Sequence, residues 1–289
     1  MNDVQIVSRA PLACQQAQTD AEVIKLWLGT FRSRHTRRAY QGDVKALLIF
    51  VGVELRQVRL GDMLAFAANL QGSPSSQARR LSSVKSLVGF AHRLGYLPFD
   101  VAAPVPLPAI KDRLAERIAS EEQTLRMLGL ERNPRNAALL RLLYVSGMRI
   151  SEVCSLCWSD LTPRDDAGQF AVLGKGGKTR VILLPASMWR RLLAVRGDAP
   201  ADAPLFRSRG GIGISPRQVD RIVKRAAARA GMPSGFSCHW LRHAHASHAL
   251  DRGCPVHVLA ATLGHSSLAT TTRYTHAKPG DSSARYLVS

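Results

Sequence analysis

Acidic residues are scarce in this chain of 289 residues. Lys and Arg number 40 against 21 Asp and Glu, a formal net charge of +19 at pH 7. So unbalanced a surface repels itself in the compact state, and a polyanionic partner, nucleic acid first among them, is the natural relief. Long apolar runs are missing as well. The longest, Ala46–Val53, falls far short of the roughly 20 residues that a membrane-spanning helix needs. The first thirty residues hold no basic head followed by an apolar core, so no secretory leader is expected and a cytoplasmic location is. Cysteine is sparse: five, an odd number at irregular spacing, which speaks against a disulfide framework and for reduced thiols. No internal repeat or low-complexity tract appears.

What is present is helical periodicity in two blocks. Residues 1–18 read as a polar tail. Thr19 with Glu22 makes a capping box ahead of Val23, Ile24, Trp27 and Leu28. A second helix opens at His35 or Thr36, with Tyr40, Val44, Leu47, Leu48 and Phe50 on one face and Arg34, Arg37, Arg38 and Lys45 on the other. Leu60–Leu70 and Ser75–Leu94 give two more helices, the latter setting Arg79, Arg80 and Lys85 against Leu81, Val84, Leu87 and Val88. Two basic stripes without balancing acids predict a four-helix DNA-gripping domain over 19–97. Pro98–Pro108 holds four prolines in eleven residues, which predicts an extended linker over 98–110.

The remainder, 111–289, predicts a mostly helical second domain with a small antiparallel sheet. Helices are expected from Ser120, over Asn133–Ser146, from about Arg149, over Ala186–Val195 and Pro216–Ala230, and in the Ser237–His276 stretch. Gln169–Gly174 and Thr179–Leu184 read as strands joined by Lys-Gly-Gly-Lys, a hairpin signal.

Several residues in this second block invite chemistry. His239 and Arg242 are three apart and share a helix face. Ser237 as N-cap places His239 in the first turn, where free amides favour an anion. Arg offers a planar, permanently charged fork matched to phosphate oxygens. His243, His245 and His248, with Cys238 and His239, suggest zinc. No nearby acid supports the ring nitrogens, and Arg242 would repel a cation, so no metal is expected. Cys154 and Cys157 form a lone CxxC, read as core thiols. Gly174–Thr179 has the look of a phosphate loop, but Val172 stands where its first glycine belongs and a strand follows rather than a helix. A lysine at such a hairpin tip is better suited to deliver a proton to a leaving oxygen. Tyr274 sits among Thr and Arg, and with its ordinary pKa of about 10 it needs activation to attack anything.

Five segments in order, SGMRISEV at Ser146–Val153, GKGGKTR at Gly174–Arg180, HWLRH at His239–His243, LGHSS at Leu263–Ser267 and TTTRYTH at Thr270–His276, make the chain similar to the tyrosine recombinase (phage integrase) family. Its length and layout resemble the Xer-like two-domain members, and Thr36–Phe50 resembles the family's SAM-like core-binding domain. The resemblance implies catalytic roles for Arg149, Lys175, His239, Arg242, His265 and Tyr274, with Lys178 as the rival to Lys175. It implies that Glu152 orients Arg149. Ala244 and His245 depart from a usual Thr and aromatic.

The implied chemistry needs no cofactor. Tyr274 attacks a DNA phosphorus while Arg149 and Arg242 clamp its oxygens, His239 takes the tyrosine proton, His265 bonds the phosphate and Lys175 protonates the departing 5′ oxygen. The 3′-phosphotyrosyl product then awaits a partner strand. The implied partners are double-stranded DNA with short inverted-repeat core sites, clamped between the two domains, and a homotetramer on synapsed DNA. Leu287 and Val288 are candidates for tail exchange between subunits. Two alternatives stand beside this reading: a type IB topoisomerase-like enzyme, and a DNA-binding regulator that does not cleave.

Overall fold

A computed structural model describes residues 17–110, 114–173, 179–265 and 267–275. The chain divides into two compact units, 1–111 and 112–289.

The first unit is all-helical. Its helices are α1 (Asp20–Gly29), α2 (Arg34–Val51), α3 (Leu60–Asn69) and α4 (Pro74–Arg93). The Thr19–Glu22 capping box is formed, and Ser73 caps α4 ahead of Pro74 at its first position. Val23, Trp27, Val44, Leu47, Met63, Leu81, Val84 and Leu87 make the core. Trp27 stacks on Tyr40 with centroids 5.5 Å apart, and Phe31 meets both edge-on. The expected apolar face of α2 is narrower than its periodicity suggests, since Phe50 is exposed.

Two features of this unit change the reading of the basic stripes. Asp43 is buried on α2 and accepts from Arg79 Nη1 and Nη2 at 2.5 and 2.9 Å and from Ser83 at 2.8 Å. Arg79 therefore neutralises a buried acid, because leaving that carboxylate alone would cost its full desolvation. Lys85 donates to the carbonyls of Ala103 and Val105, and Arg37 Nε donates to Phe31 O at 2.6 Å. Arg79, Lys85 and Arg37 are tied into the fold by these bonds, whereas Arg34, Arg38, Lys45 and Arg80 are exposed with no side-chain hydrogen bond or ion pair among the described residues. The proline-rich segment is not simply extended. Its 101–105 stretch turns, with Ala102 and Val105 in the helical core, so much of the expected linker packs onto this unit.

The second unit holds α5 (Glu121–Gly129), α6 (Pro134–Ser146), α7 (Ile150–Ser155), three strands, α8 (Ala186–Arg196), α9 (Pro216–Arg229), α10 (Cys238–Asp251), α11 (Val256–Leu263) and α12 (Leu268–Thr275). The strands β1 (Leu161–Arg164), β2 (Ala167–Leu173) and β3 (Thr179–Leu184) form an antiparallel meander in sequence order. β1 is an addition to the expected hairpin. Its four residues include Pro163, which an edge strand tolerates because the missing N–H faces away from the ladder, and so short a run gives no alternation to read. The β1–β2 turn passes through Asp165 at φ 52°. Trp189 of α8 lies against Gly168 of β2, where an added Cβ would come within 2.2 Å of the indole. α6 is buried on nearly every side and is the hub of the core.

Candidate active site

The site grows from the end of α6. Gly147 closes that helix in the left-handed region at φ 60°, where L side chains are disfavoured. An added Cβ would also lie 2.6 Å from His245 Cδ2. The turn sets Arg149 as the N-cap of α7, and Glu152, three residues on, reaches back to it. The Arg149 amide donates to Glu152 Oε2 at 2.8 Å and Arg149 Nη1 to Oε1 at 2.9 Å.

Glu152 is shared. Arg180 on β3 donates Nη2 to Oε2 at 2.8 Å and Nη1 to Oε1 at 3.2 Å, and its Nε donates to Thr262 O at 2.7 Å. One buried carboxylate thus ties the start of α7 to β3 and the end of α11. Burial pushes the Glu152 carboxyl up, but the bonds from Arg180 and the Arg149 amide, with Arg180's charge, more than offset it, and the net shift is downward.

Arg242 lies on α10, 4% exposed. It donates to Gly147 O at 2.6 Å and, through Nη2, to Leu263 O at 2.7 Å and His265 Nε2 at 3.0 Å. Burial, then the charge of Arg149, lowers its pKa to about 10, so it stays cationic at neutral pH. Since Nε2 of His265 faces a donor that has no lone pair to offer, the proton sits on Nδ1, which donates to Thr271 Oγ1 at 2.8 Å. Burial and the three arginines 242, 149 and 180 bring His265 down to about 4. It is a neutral ring of defined tautomer.

His239 stands in the first turn of α10, behind Ser237, which is the N-cap though its side chain makes no cap bond. Burial and then Arg242, Arg149 and Arg117 lower its pKa. Its ring stacks on His243 with centroids 5.3 Å apart. His243 Nδ1 is 2.8 Å from the hydroxyl of Tyr274, which is itself 5% exposed.

The other histidines have separate work. His245 Nδ1 donates to Tyr144 O at 2.8 Å, and His248 Nε2 donates to Ala119 O at 3.0 Å while its Nδ1 accepts from the Tyr144 hydroxyl. Cys154 and Cys238 are pushed up to about 11 and about 12 by burial, which leaves them as neutral thiols. Of the residues singled out from sequence, Arg149, Glu152, Arg242 and His265 meet around the ends of α6, α7 and α11, while His239 and Tyr274 meet through His243, and the charges of Arg242 and Arg149 are felt at His239. Lys175, Lys178, Leu287 and Val288 lie outside the described residues. Sequence reasoning passed over Arg180 and Thr271, and it weighed His243 only as a metal ligand, not as a partner of Tyr274. Arg180 closes the GKGGKTR segment, Thr271 is three residues before Tyr274, and His243 is one helical turn from His239.

Three buried or half-buried guanidinium groups, one carboxylate and two neutral imidazoles leave a net positive pocket. Such a pocket is suited to hold an anionic group with several oxygens near the Tyr274 hydroxyl.

A profile described as the Phage integrase family matches residues 117–280, and one described as its N-terminal SAM-like domain matches residues 23–95. The chain is 35% identical over 260 residues to tyrosine recombinase XerC of Xanthomonas campestris pv. campestris, covering 84% of this chain and 79% of the relative. It is 32% identical over 283 residues to tyrosine recombinase XerC of Pelobacter propionicus, covering 91% and 92%. Among solved structures, its fold is similar to a lambda integrase dimer bound to a COC′ core site. That match has a TM-score of 0.75 at 18% identity and covers 92% and 79% of the two chains. A lambda integrase tetramer bound to a Holliday junction matches at TM-score 0.74 and 17% identity, covering 90% and 78%.

Proposed function

The chain belongs to the phage integrase family of tyrosine recombinases and is a site-specific recombinase, and from that premise we propose that its reaction is a two-step phosphoryl transfer through Tyr274. The phenolic oxygen attacks the scissile phosphorus in line. Arg149 and Arg242 hold the nonbridging oxygens as charge develops on them. His239 adds a hydrogen bond to the same group, while His265, whose one ring N–H goes to Thr271, holds the Arg242 fork in place. Lys175 protonates the departing 5′ oxygen. The 3′-phosphotyrosyl ester keeps the free energy of the original diester, so rejoining to a partner strand's 5′ hydroxyl needs neither ATP nor metal.

The observation that carries this reading is the contact set of Arg242. Two backbone carbonyls and the neutral His265 aim a buried, permanently charged fork, and the Tyr274 oxygen lies in its electrostatic reach. Such a fork costs little reorganisation when phosphate arrives.

The substrate follows as double-stranded DNA with short inverted-repeat core sites, exchanged within a homotetramer, with the C-terminal tail, Leu287 and Val288 included, passing between subunits. A cytoplasmic protein acting on bacterial, phage or plasmid DNA fits this use. Tyr274→Phe should abolish covalent protein–DNA adducts on a nicked core site while leaving DNA binding intact, read by denaturing gel and by mobility shift. An adduct that survives in the variant would overturn the assignment. A 5′-phosphorothiolate substrate, whose leaving sulfur needs no proton, should restore cleavage to Lys175→Ala. Rescue of Lys178→Ala instead would move the acid there.

A further inference from the structure

A phenol of pKa about 10 is a poor nucleophile at neutral pH, so the Tyr274 proton must leave as its oxygen attacks. We propose that His243, rather than His239, receives that proton. The proposal rests on reading Tyr274 as the nucleophile.

The geometry favours His243 on three counts. Its Nδ1 is 2.8 Å from the Tyr274 hydroxyl, a hydrogen-bond distance on which a proton can move. With the ring proton on Nε2, Nδ1 is the acceptor and the hydroxyl the donor. Tyr274 is 5% exposed, so bulk water has little access to its oxygen. His239 reaches this pair through its ring face, stacked on His243, and no hydrogen bond joins it to Tyr274 among the described residues. Position on the helix explains the division of labour. His239 and His243 are one turn apart on α10, so they share a face, and it is His243 whose ring meets Tyr274 of α12, with centroids 5.7 Å apart.

Proton and charge balance through the step. The proton on Tyr274 Oη passes to His243 Nδ1 as the Oη–phosphorus bond forms. The bond from phosphorus to the 5′ oxygen breaks, and that oxygen takes a proton from the hairpin lysine. One imidazolium is gained and one ammonium lost. On rejoining, the lysine recovers a proton from the incoming 5′ hydroxyl, and His243 returns its own to the departing phenolate. The titratable and charged groups around His243 come from several elements. His239 stacks on it from the same helix, Tyr274 meets it from α12, and Glu116 and Arg117 line the same cleft with Gly235, Ser237 and Trp240.

The test is the rate of covalent adduct formation on a nicked core site against pH, in single turnover. The starting protein should show a rate that falls at acid pH as one group protonates. His243→Ala should lower the rate roughly 100-fold or more with unchanged DNA binding. His243→Asn, which preserves an acceptor near the Nδ1 position but does not titrate, should remain slow and lose the acid fall. Imidazole added in solution should restore part of the His243→Ala rate through the open cleft. His239→Ala should slow the reaction but keep the acid fall. A His243→Ala rate equal to or above the starting protein would overturn the proposal, and so would an acid fall that persists in His243→Asn. Absence of any adduct in the starting protein would instead overturn the nucleophile reading beneath it.

Discussion

His245 shows how a single side chain can make the fold sensitive to acid. Burial is the main reason its pKa falls to about 4, and the carbonyl of Tyr144 already uses its Nδ1–H. In the unfolded chain the same ring titrates near 6.5. Between those values the unfolded state takes up a proton that the native state refuses, so stability is whole above about 6.5 and drains as pH falls toward 4. A shift of that size corresponds to about 3 kcal/mol. His245→Asn keeps a donor for Tyr144 O and removes the titration, so urea unfolding at pH 7 and pH 4.5 should differ less in the variant than in the starting protein. An equal difference in both would place the acid sensitivity elsewhere. Glu152 works in the opposite pH range: held below its ordinary value by Arg180 and Arg149, it gives its support above the usual carboxylate pKa and loses it only in stronger acid.

At the scale of elements, the candidate active site is a meeting of ends. The C-terminus of α6 offers Gly147 O, the C-terminus of α11 offers Leu263 O and Thr262 O, and the start of α7 offers Arg149. Arginines from α10 and β3 satisfy carbonyls that a helix end leaves without partners. The site and the fold therefore share bonds, and a backbone change is felt in both. Gly147→Ala forces an L residue to φ 60° and drives its Cβ into His245 and Leu263. It should cost about 2–4 kcal/mol in chemical unfolding. It should also slow covalent cleavage at temperatures where the variant is still folded, since the carbonyl that aims Arg242 moves with it. A variant that cleaves at the starting rate would show that Arg242 is aimed by its other contacts.

At the scale of the whole molecule, charge is the dominant quantity. With +19 to place against DNA, affinity should fall linearly in log–log form with salt, each phosphate contact adding about 0.9 to the slope. Four exposed stripe residues, Arg34, Arg38, Lys45 and Arg80, are the candidates on the first unit, so Arg38→Ala should reduce the slope by roughly 1 with little change in melting temperature. Arg79→Ala should behave differently, lowering stability by about 1–3 kcal/mol because Asp43 is left buried without its cation. A stability loss in Arg38→Ala and none in Arg79→Ala would reverse the assignment of the stripes.

Much of this protein was decided locally and could be read from sequence. Capping residues before apolar periodicity placed the helices that follow Thr19 and Ser120, because cap and helix lie within one turn of each other. Spacing put His239 and Arg242 on one face, and the ordered motifs pointed to the family. Other roles depended on partners distant in the chain. Arg79 and Arg38 look alike along their helices, and only the packing of α2 on α4 gives one of them a buried acid to neutralise. His243 reads as one of four similar histidines until α12 brings Tyr274 to its Nδ1. Arg180 is another basic residue near a hairpin until β3 carries it to Glu152, 28 residues earlier. Periodicity records which side of an element is buried; what lies against that side is set by tertiary packing, and in this molecule that contact separates Arg79, bound to a buried acid, from Arg38, which has no such partner among the described residues.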